Sequence, residues 1–225
     1  MRTFFLFYIV NFFLRNPLLA IVVVVAIVYM SEARYSGRYF NPTFFVKRRG
    51  AIAELEQAVA DNDHDVASHN DLGRLLADAG KFDEAAGHMR KAIERMEESA
   101  ETNFYHGLCL LKTGSPDEGR RFMKQALEIN PRYGYAAPQV ALARTALESG
   151  DHADALNWAR DAVKLNTSSV EGWVLVGEAE LAGGDAAAAA ESFKQAQSAY
   201  NDLPHYLKLG EKRWLKEAKR ARRNV

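Results

Sequence analysis

The chain has a single cysteine, Cys109, in 225 residues, so neither an intramolecular disulfide nor a cysteine-rich zinc site can form. Its six histidines, His64, His69, His88, His106, His152 and His205, are scattered without an HExxH or any other metal-ligand spacing, and they read as surface or packing residues. There is no GxGxxG or Walker loop, no GxSxG elbow, and no carboxylate pair beyond the ordinary charge of solvated helices. Catalysis needs one of these constellations, so the chain reads as non-catalytic and calls for no cofactor. Net charge is absent too, with 29 basic and 29 acidic side chains.

That zero conceals a division. Residues 1–49 hold seven Lys and Arg against Glu32 alone, and residues 208–223 hold eight against Glu211 and Glu217, so each end carries +6 and the body between carries −12. Basic ends point to a membrane surface or to nucleic acid.

The one long apolar run, Phe4 to Met30, is broken by Arg15, Asn16 and Pro17. A charge at the bilayer centre costs about 2.5–3.5 kcal/mol on the insertion scale, so the run is divided there. Asn16 suits an N-cap and Pro17 a first helical position, which starts a span at 17 that reaches 35 with Glu32 and Arg34 at the interface. Residues 3–14, dense in phenylalanine, suit an interfacial helix, with a shallow hairpin tipped by Arg15 as the rival. Arg34, Arg38, Lys47, Arg48 and Arg49 follow the span, and positive-inside then predicts a single span in the inner, cytoplasmic membrane with the rest of the chain in the cytoplasm. Ser31-Glu32-Ala33 also fits a small-x-small cleavage site, which leaves export after signal cleavage as the alternative. A basic juxtamembrane linker is expected over 36–49.

Beyond Arg49 the chain repeats itself. Gly80, Gly114, Gly150 and Gly184 are separated by 34, 36 and 34 residues, and Ala92, Ala126, Ala162 and Ala196 by the same intervals. Two landmarks that share one insertion mark a solenoid of antiparallel helix pairs, in which the glycine closes the turn and small residues let helices approach. Ser115-Pro116-Asp117-Glu118 combines an N-cap, a first-turn proline and a capping-box glutamate. Leu203, Leu207, Gly210, Trp214 and Ala218 predict one packing face on a final helix that caps the stack.

The repeat resembles the tetratricopeptide-repeat (TPR) family. The residues that carry the likeness are Leu72-Gly73, Ala85 and Ala92; Gly107, Ala126 and Pro131; Ala155 and Ala162; and Trp173, Gly177, Ala189, Phe193 and Ala196. Gly119 stands where the pattern has alanine, Ala143 where it has glycine, and the insertion falls within Tyr133 to Ala137. The fold expected is all-α: a half repeat at 50–65, repeats at 66–99, 100–133, 134–169 and 170–202, and a basic capping helix at 203–225.

By family resemblance the first helices line a concave groove that binds a peptide or helix of a protein partner. Transferring the groove positions implies Asn70, Arg74, Phe104, Leu108, Leu111, Val140, Arg144, Val174 and Glu178. Two arginines beside apolar groups suit a ligand with an apolar anchor and a carboxylate. Asn70 with Arg74 does not reproduce the Lys/Asn clamp of the chaperone-binding subfamily. The layout of membrane segment then repeats also resembles the bacterial lipopolysaccharide-assembly adaptor, whose zinc module with paired cysteines this chain lacks. Lys47, Arg48, Arg49, Lys212, Arg213, Lys216, Lys219, Arg220, Arg222 and Arg223 form the surface expected to meet anionic lipid, each cation contributing about 1 kcal/mol. Nucleic acid is the disfavoured alternative for the tail, because its only interleaved aromatic is Trp214.

Overall fold

The computed structural model describes residues 42–223 together with Ile21 and Val23. The expected interfacial helix at 3–14, the span at 17–35 and the linker as far as residue 41 lie outside the described residues, apart from those two positions. Among the described residues no helix is long and apolar enough to cross a membrane. The chain divides into two compact units, residues 1–41 with 203–212, and residues 42–202 with 213–225. The second unit holds the repeats.

Ten α-helices are present among the described residues: α1 (Pro42–Asp61), α2 (Val66–Asp78), α3 (Phe82–Ile93), α4 (Ala100–Lys112), α5 (Pro116–Ile129), α6 (Ala137–Glu148), α7 (His152–Leu165), α8 (Val170–Ala182), α9 (Ala186–Asp202) and α10 (His205–Arg222). Within the larger unit α2 packs on α3, α4 on α5, α6 on α7 and α8 on α9, and each pair touches the next, which is the arrangement of a solenoid. The helix α1 begins at Pro42, so Lys47, Arg48 and Arg49 are helical and not part of a linker.

Local chemistry explains the spacing. Gly80, Gly114, Gly150 and Gly184 have φ between +77° and +94°, left-handed values that an L side chain resists. After each, the next amide donates at 2.9 Å to the carbonyl five residues back: Lys81 to Leu76, Ser115 to Leu110, Asp151 to Ala146 and Asp185 to Glu180. These Schellman-type closures reverse the chain within each pair. Asp65, Ser99, Asp151, Ser169 and Asp185 accept backbone amides at helix starts. Ser115, expected to do the same, makes no such bond; α5 instead starts on Pro116, with Asp117 and Glu118 opposing the helix dipole.

The repeat alanines sit where helices cross: Ala85, Ala92, Ala126, Ala155, Ala162, Ala189 and Ala196 are all fully buried. Gly119, which departs from the pattern, has a steric reason. A Cβ there would lie 2.7 Å from Leu111 Cδ2 and 2.9 Å from the Gly107 carbonyl oxygen, so α4 and α5 approach too closely for alanine. In the fourth pair the same closeness lets the Phe193 ring lie over Gly177.

The helix α10 does not present the expected face. Trp214 and Ala218 are buried, but Leu207 is 46% exposed and Gly210 is exposed.

Candidate partner-binding groove

The first helices α2, α4, α6 and α8 follow one another along the stack, with α2 touching α4, α4 touching α6 and α6 touching α8. Phe104, Leu108 and Leu111 recur on one face of α4, and Val140 and Arg144 lie one turn apart on α6. These five side chains help line one cleft of about 550 Å³, together with Phe82, Tyr135, Glu171 and Arg213. Each of the five is half-buried, so packing holds it while one side stays open.

Tyr135 forms the mouth of this cleft and was not among the residues transferred from the family. The two-residue insertion folds into a turn, Tyr133–Ala136, in which Gly134, Tyr135 and Ala136 take φ of 58°, 51° and 82° in succession. Left-handed backbone costs an L-residue about 1–2 kcal/mol, so two strained non-glycine residues are held here by their surroundings. Ala136 is 1% exposed and anchors the turn, while Tyr135 is 84% exposed beside the groove. The neighbouring Tyr133 ring packs on Phe104, with centroids 5.3 Å apart. Its hydroxyl is pushed up to about 12, chiefly by burial, and so is neutral in the neutral range. The insertion itself was the only signal in the sequence that could have drawn attention to Tyr135.

The other transferred residues do not stand free in the groove. Asn70 is buried, and its Oδ1 accepts a 2.9 Å hydrogen bond from the Thr102 hydroxyl, which ties α2 to α4. Val174 is fully buried in the core. Both are corrections to the groove set: the tight approach of successive first helices encloses these positions. Arg74 lies 3.7 Å from Asp71 and 3.8 Å from Glu101, and Arg144 is paired with Glu171. The arginines already have carboxylate partners, so the expected match to a ligand carboxylate loses its basis.

Arg144 makes a second contact. Its guanidinium lies 4.7 Å from the centroid of Trp214 on α10, and Arg213 lies 4.3 Å from the same ring. Glu178, on α8, has Glu217 of α10 beside it. Burial first, then the charge of Glu217, raises the Glu178 carboxyl to about 7, while Arg144 opposes the rise.

Among the expected lipid-facing cations, Arg48 is committed elsewhere: its Nη2 donates to the Leu75 carbonyl oxygen at 3.1 Å and fastens α1 to α2. Lys212, Lys216, Lys219, Arg220, Arg222 and Arg223 are exposed, as is Arg49. Arg213 is exposed as well, but it stacks on Trp214 and borders the cleft.

No group of three or more His, Cys, Asp or Glu residues that could hold a metal ion occurs among the described residues. His69 and His88 do face each other, Nδ1 to Nδ1 at 2.8 Å, a hydrogen bond that joins α2 to α3. The lone thiol, Cys109, is buried and pushed up to about 12 by that burial, which makes it a packing group.

Stacked helix pairs around an open apolar cleft define a helical-repeat scaffold of the kind that presents a groove to other proteins. Sequence comparison places it further. Tetratricopeptide-repeat models match residues 98–168, and residues 47–97 with 140–204. The chain belongs to the tetratricopeptide-repeat family, whose repeats mediate protein–protein interaction. It is 33% identical over 114 residues to human tetratricopeptide repeat protein 7B, a match that covers 51% of this chain and 13% of that protein's length. Among solved structures it is similar to MamA (TM-score 0.63, 18% identity, 72% of this chain and 90% of that one). It is also similar to YrrB, a TPR protein with an unusual peptide-binding site (TM-score 0.59, 16% identity, 76% and 86%). A third neighbour is PilW, a type IV pilus biogenesis factor (TM-score 0.61, 17% identity, 86% and 91%).

Proposed function

We propose that this protein is a membrane-anchored, non-catalytic adaptor that holds a segment of a partner protein in the cleft between α4 and α6. The observation that carries the reading is the open apolar wall of Phe104, Leu108, Leu111 and Val140, with the exposed Tyr135 ring held at its edge by strained backbone. Strain of this kind is retained where a side chain must be presented at a fixed place. An aromatic anchor at the mouth and an aliphatic floor suit a peptide or helix carrying an apolar side chain.

The anchor is the apolar segment at 3–35, and its flanking arginines and lysines orient the repeats toward the cytoplasm of a bacterial-type cell. The exposed cations of α10 favour a further contact with anionic lipid.

Selection of a displayed peptide library on the full chain in detergent micelles tests the cleft. Recovered peptides should share an apolar or aromatic anchor, and Leu108→Glu, at the cleft wall, should weaken a selected peptide at least tenfold by fluorescence anisotropy. Peptides without a common anchor, or affinity unchanged by Leu108→Glu in a chain that keeps its helical signal, would remove the cleft from consideration.

A further inference from the structure

The C-terminal part of α10 makes contacts unlike those between the repeats. Trp214 is 6% exposed and Ala218 is 1% exposed, and their spacing of four puts them on one helix face. That face meets Arg144 of the third repeat and Glu178 of the fourth, two positions that the family pattern assigns to the groove. The segment from Arg213 onward therefore covers the groove side of these two repeats. The wall formed by Phe104, Leu108, Leu111 and Val140 is left as an open cleft with Arg213 on its border.

The contact has the composition of a reversible interface. Helices within the stack meet through many fully buried alanine, leucine and methionine residues, whereas α10 is only lightly packed on the other described helices. Its main groups are the Trp214 indole against the Arg144 guanidinium, with Arg213 of the same helix on that ring, and the carboxyl groups of Glu178 and Glu217 set beside each other. Cation–π contacts contribute about 0.5–2 kcal/mol each, and a carboxyl pair coheres only while it shares a proton. Long-range attraction is also present, because the segment 208–223 carries +6 and the repeats are acidic.

We propose that α10 from Arg213 onward is an exchangeable ligand of the chain's own groove, displaced when a partner helix with an aromatic residue and a small residue one turn apart occupies the same surface. The proposal rests on reading the groove as the partner-binding surface and adds the ligand's chemistry. Trp214 and Ala218 display what the groove accepts: an indole against Arg144 and a small side chain one turn further, on an amphipathic basic helix. A partner of this kind would have to compete with a segment that is always present at high effective concentration.

A labelled synthetic peptide of residues 205–223 tests this on the full chain in micelles, with no need to know the natural partner. The double variant Trp214→Ala, Ala218→Asp should bind the peptide at least tenfold more tightly than the wild-type chain, whose groove is filled in cis. Adding Arg144→Ala to that variant should reverse the gain by tenfold or more. Equal binding by wild type and double variant, or none by either, overturns the proposal and leaves α10 a permanent cap. Concentration-dependent dimers of the wild type in sedimentation would also overturn it, in favour of α10 exchanged between two copies. If the double variant loses its helical signal, amide exchange of the wild type decides: exchange at 214–222 at least a hundredfold faster than in α8 supports release, and equal rates refute it. Library peptides bound through Leu108 with no exchange of α10 would leave the cleft reading intact, so the two ideas fail separately.

Discussion

Tyr135 and Ala136 concentrate the conflict between stability and binding in two adjacent residues. Both hold left-handed backbone, but Ala136 is buried and contributes no ring to the groove, whereas Tyr135 is open to solvent. Glycine removes the Cβ penalty at either place. Ala136→Gly should therefore stabilise the fold by about 1 kcal/mol in urea denaturation and leave the affinity of a selected peptide unchanged. Tyr135→Gly should stabilise similarly and weaken that peptide. A destabilised Ala136→Gly chain would show that the turn is not strained. Gly119 makes the opposite case, since a methyl there has nowhere to go: Gly119→Ala should cost about 1–3 kcal/mol, as overpacking does, and a chain that melts like the wild type would contradict the close approach of α4 and α5.

At the level of elements, the question is what keeps α10 on α8. Glu178 is raised to about 7 in the docked helix, from an ordinary 4.5, by burial and by Glu217. Release of α10 removes Glu217 and returns Glu178 toward its ordinary value, so the docked state holds the additional proton between these limits. Docking is favoured most below about 4.5, weakens as pH rises through the window, and is weakest above about 7. Arg144, the cation facing the pair, opposes the rise without reversing its sign. Raising pH from 5 to 8 should therefore speed amide exchange in 214–222, and Glu217→Gln should flatten that dependence. Exchange that slows with pH, after correction for the intrinsic rate, would reverse the assignment. The first helices of the repeats lack such a device. They are joined by the Thr102 to Asn70 hydrogen bond and by the ion pairs Arg74–Glu101 and Arg144–Glu171, in which opposite charges attract without a shared proton, and they should stay protected over the same range.

For the whole molecule, the division of charge matters more than its sum. A −12 body between two +6 ends favours contact of the basic helix with the acidic repeats or with an anionic surface, and these uses compete. Topology decides which is available. A C-terminal tag on the full chain should resist protease in intact spheroplasts and become sensitive after permeabilisation, with the N-terminus retained. Cleavage in intact spheroplasts, or loss of residues 1–33, would place the repeats outside and favour an envelope-assembly role.

Much of the architecture was legible from residue spacing alone. Turn glycines and crossing alanines act through local backbone geometry and side-chain size, which are properties of residue type, so a 34-residue interval already implies stacked helix pairs. The apolar wall of Phe104, Leu108, Leu111 and Val140 could be transferred for the same reason. What spacing could not show was where a side chain finds its partner. Asn70 and Val174 occupy groove positions in the pattern but are enclosed by packing, and Arg74 and Arg144 are spent on carboxylates brought near by neighbouring elements. The left-handed run through Tyr135, and the placement of Trp214 and Glu217 over Arg144 and Glu178, likewise depend on contacts across 70 residues or less that no local pattern encodes. The repeat, then, follows from the sequence because its causes are local. The identity of the groove's free and occupied surfaces was decided only in the tertiary structure, where burial and charge from distant segments meet.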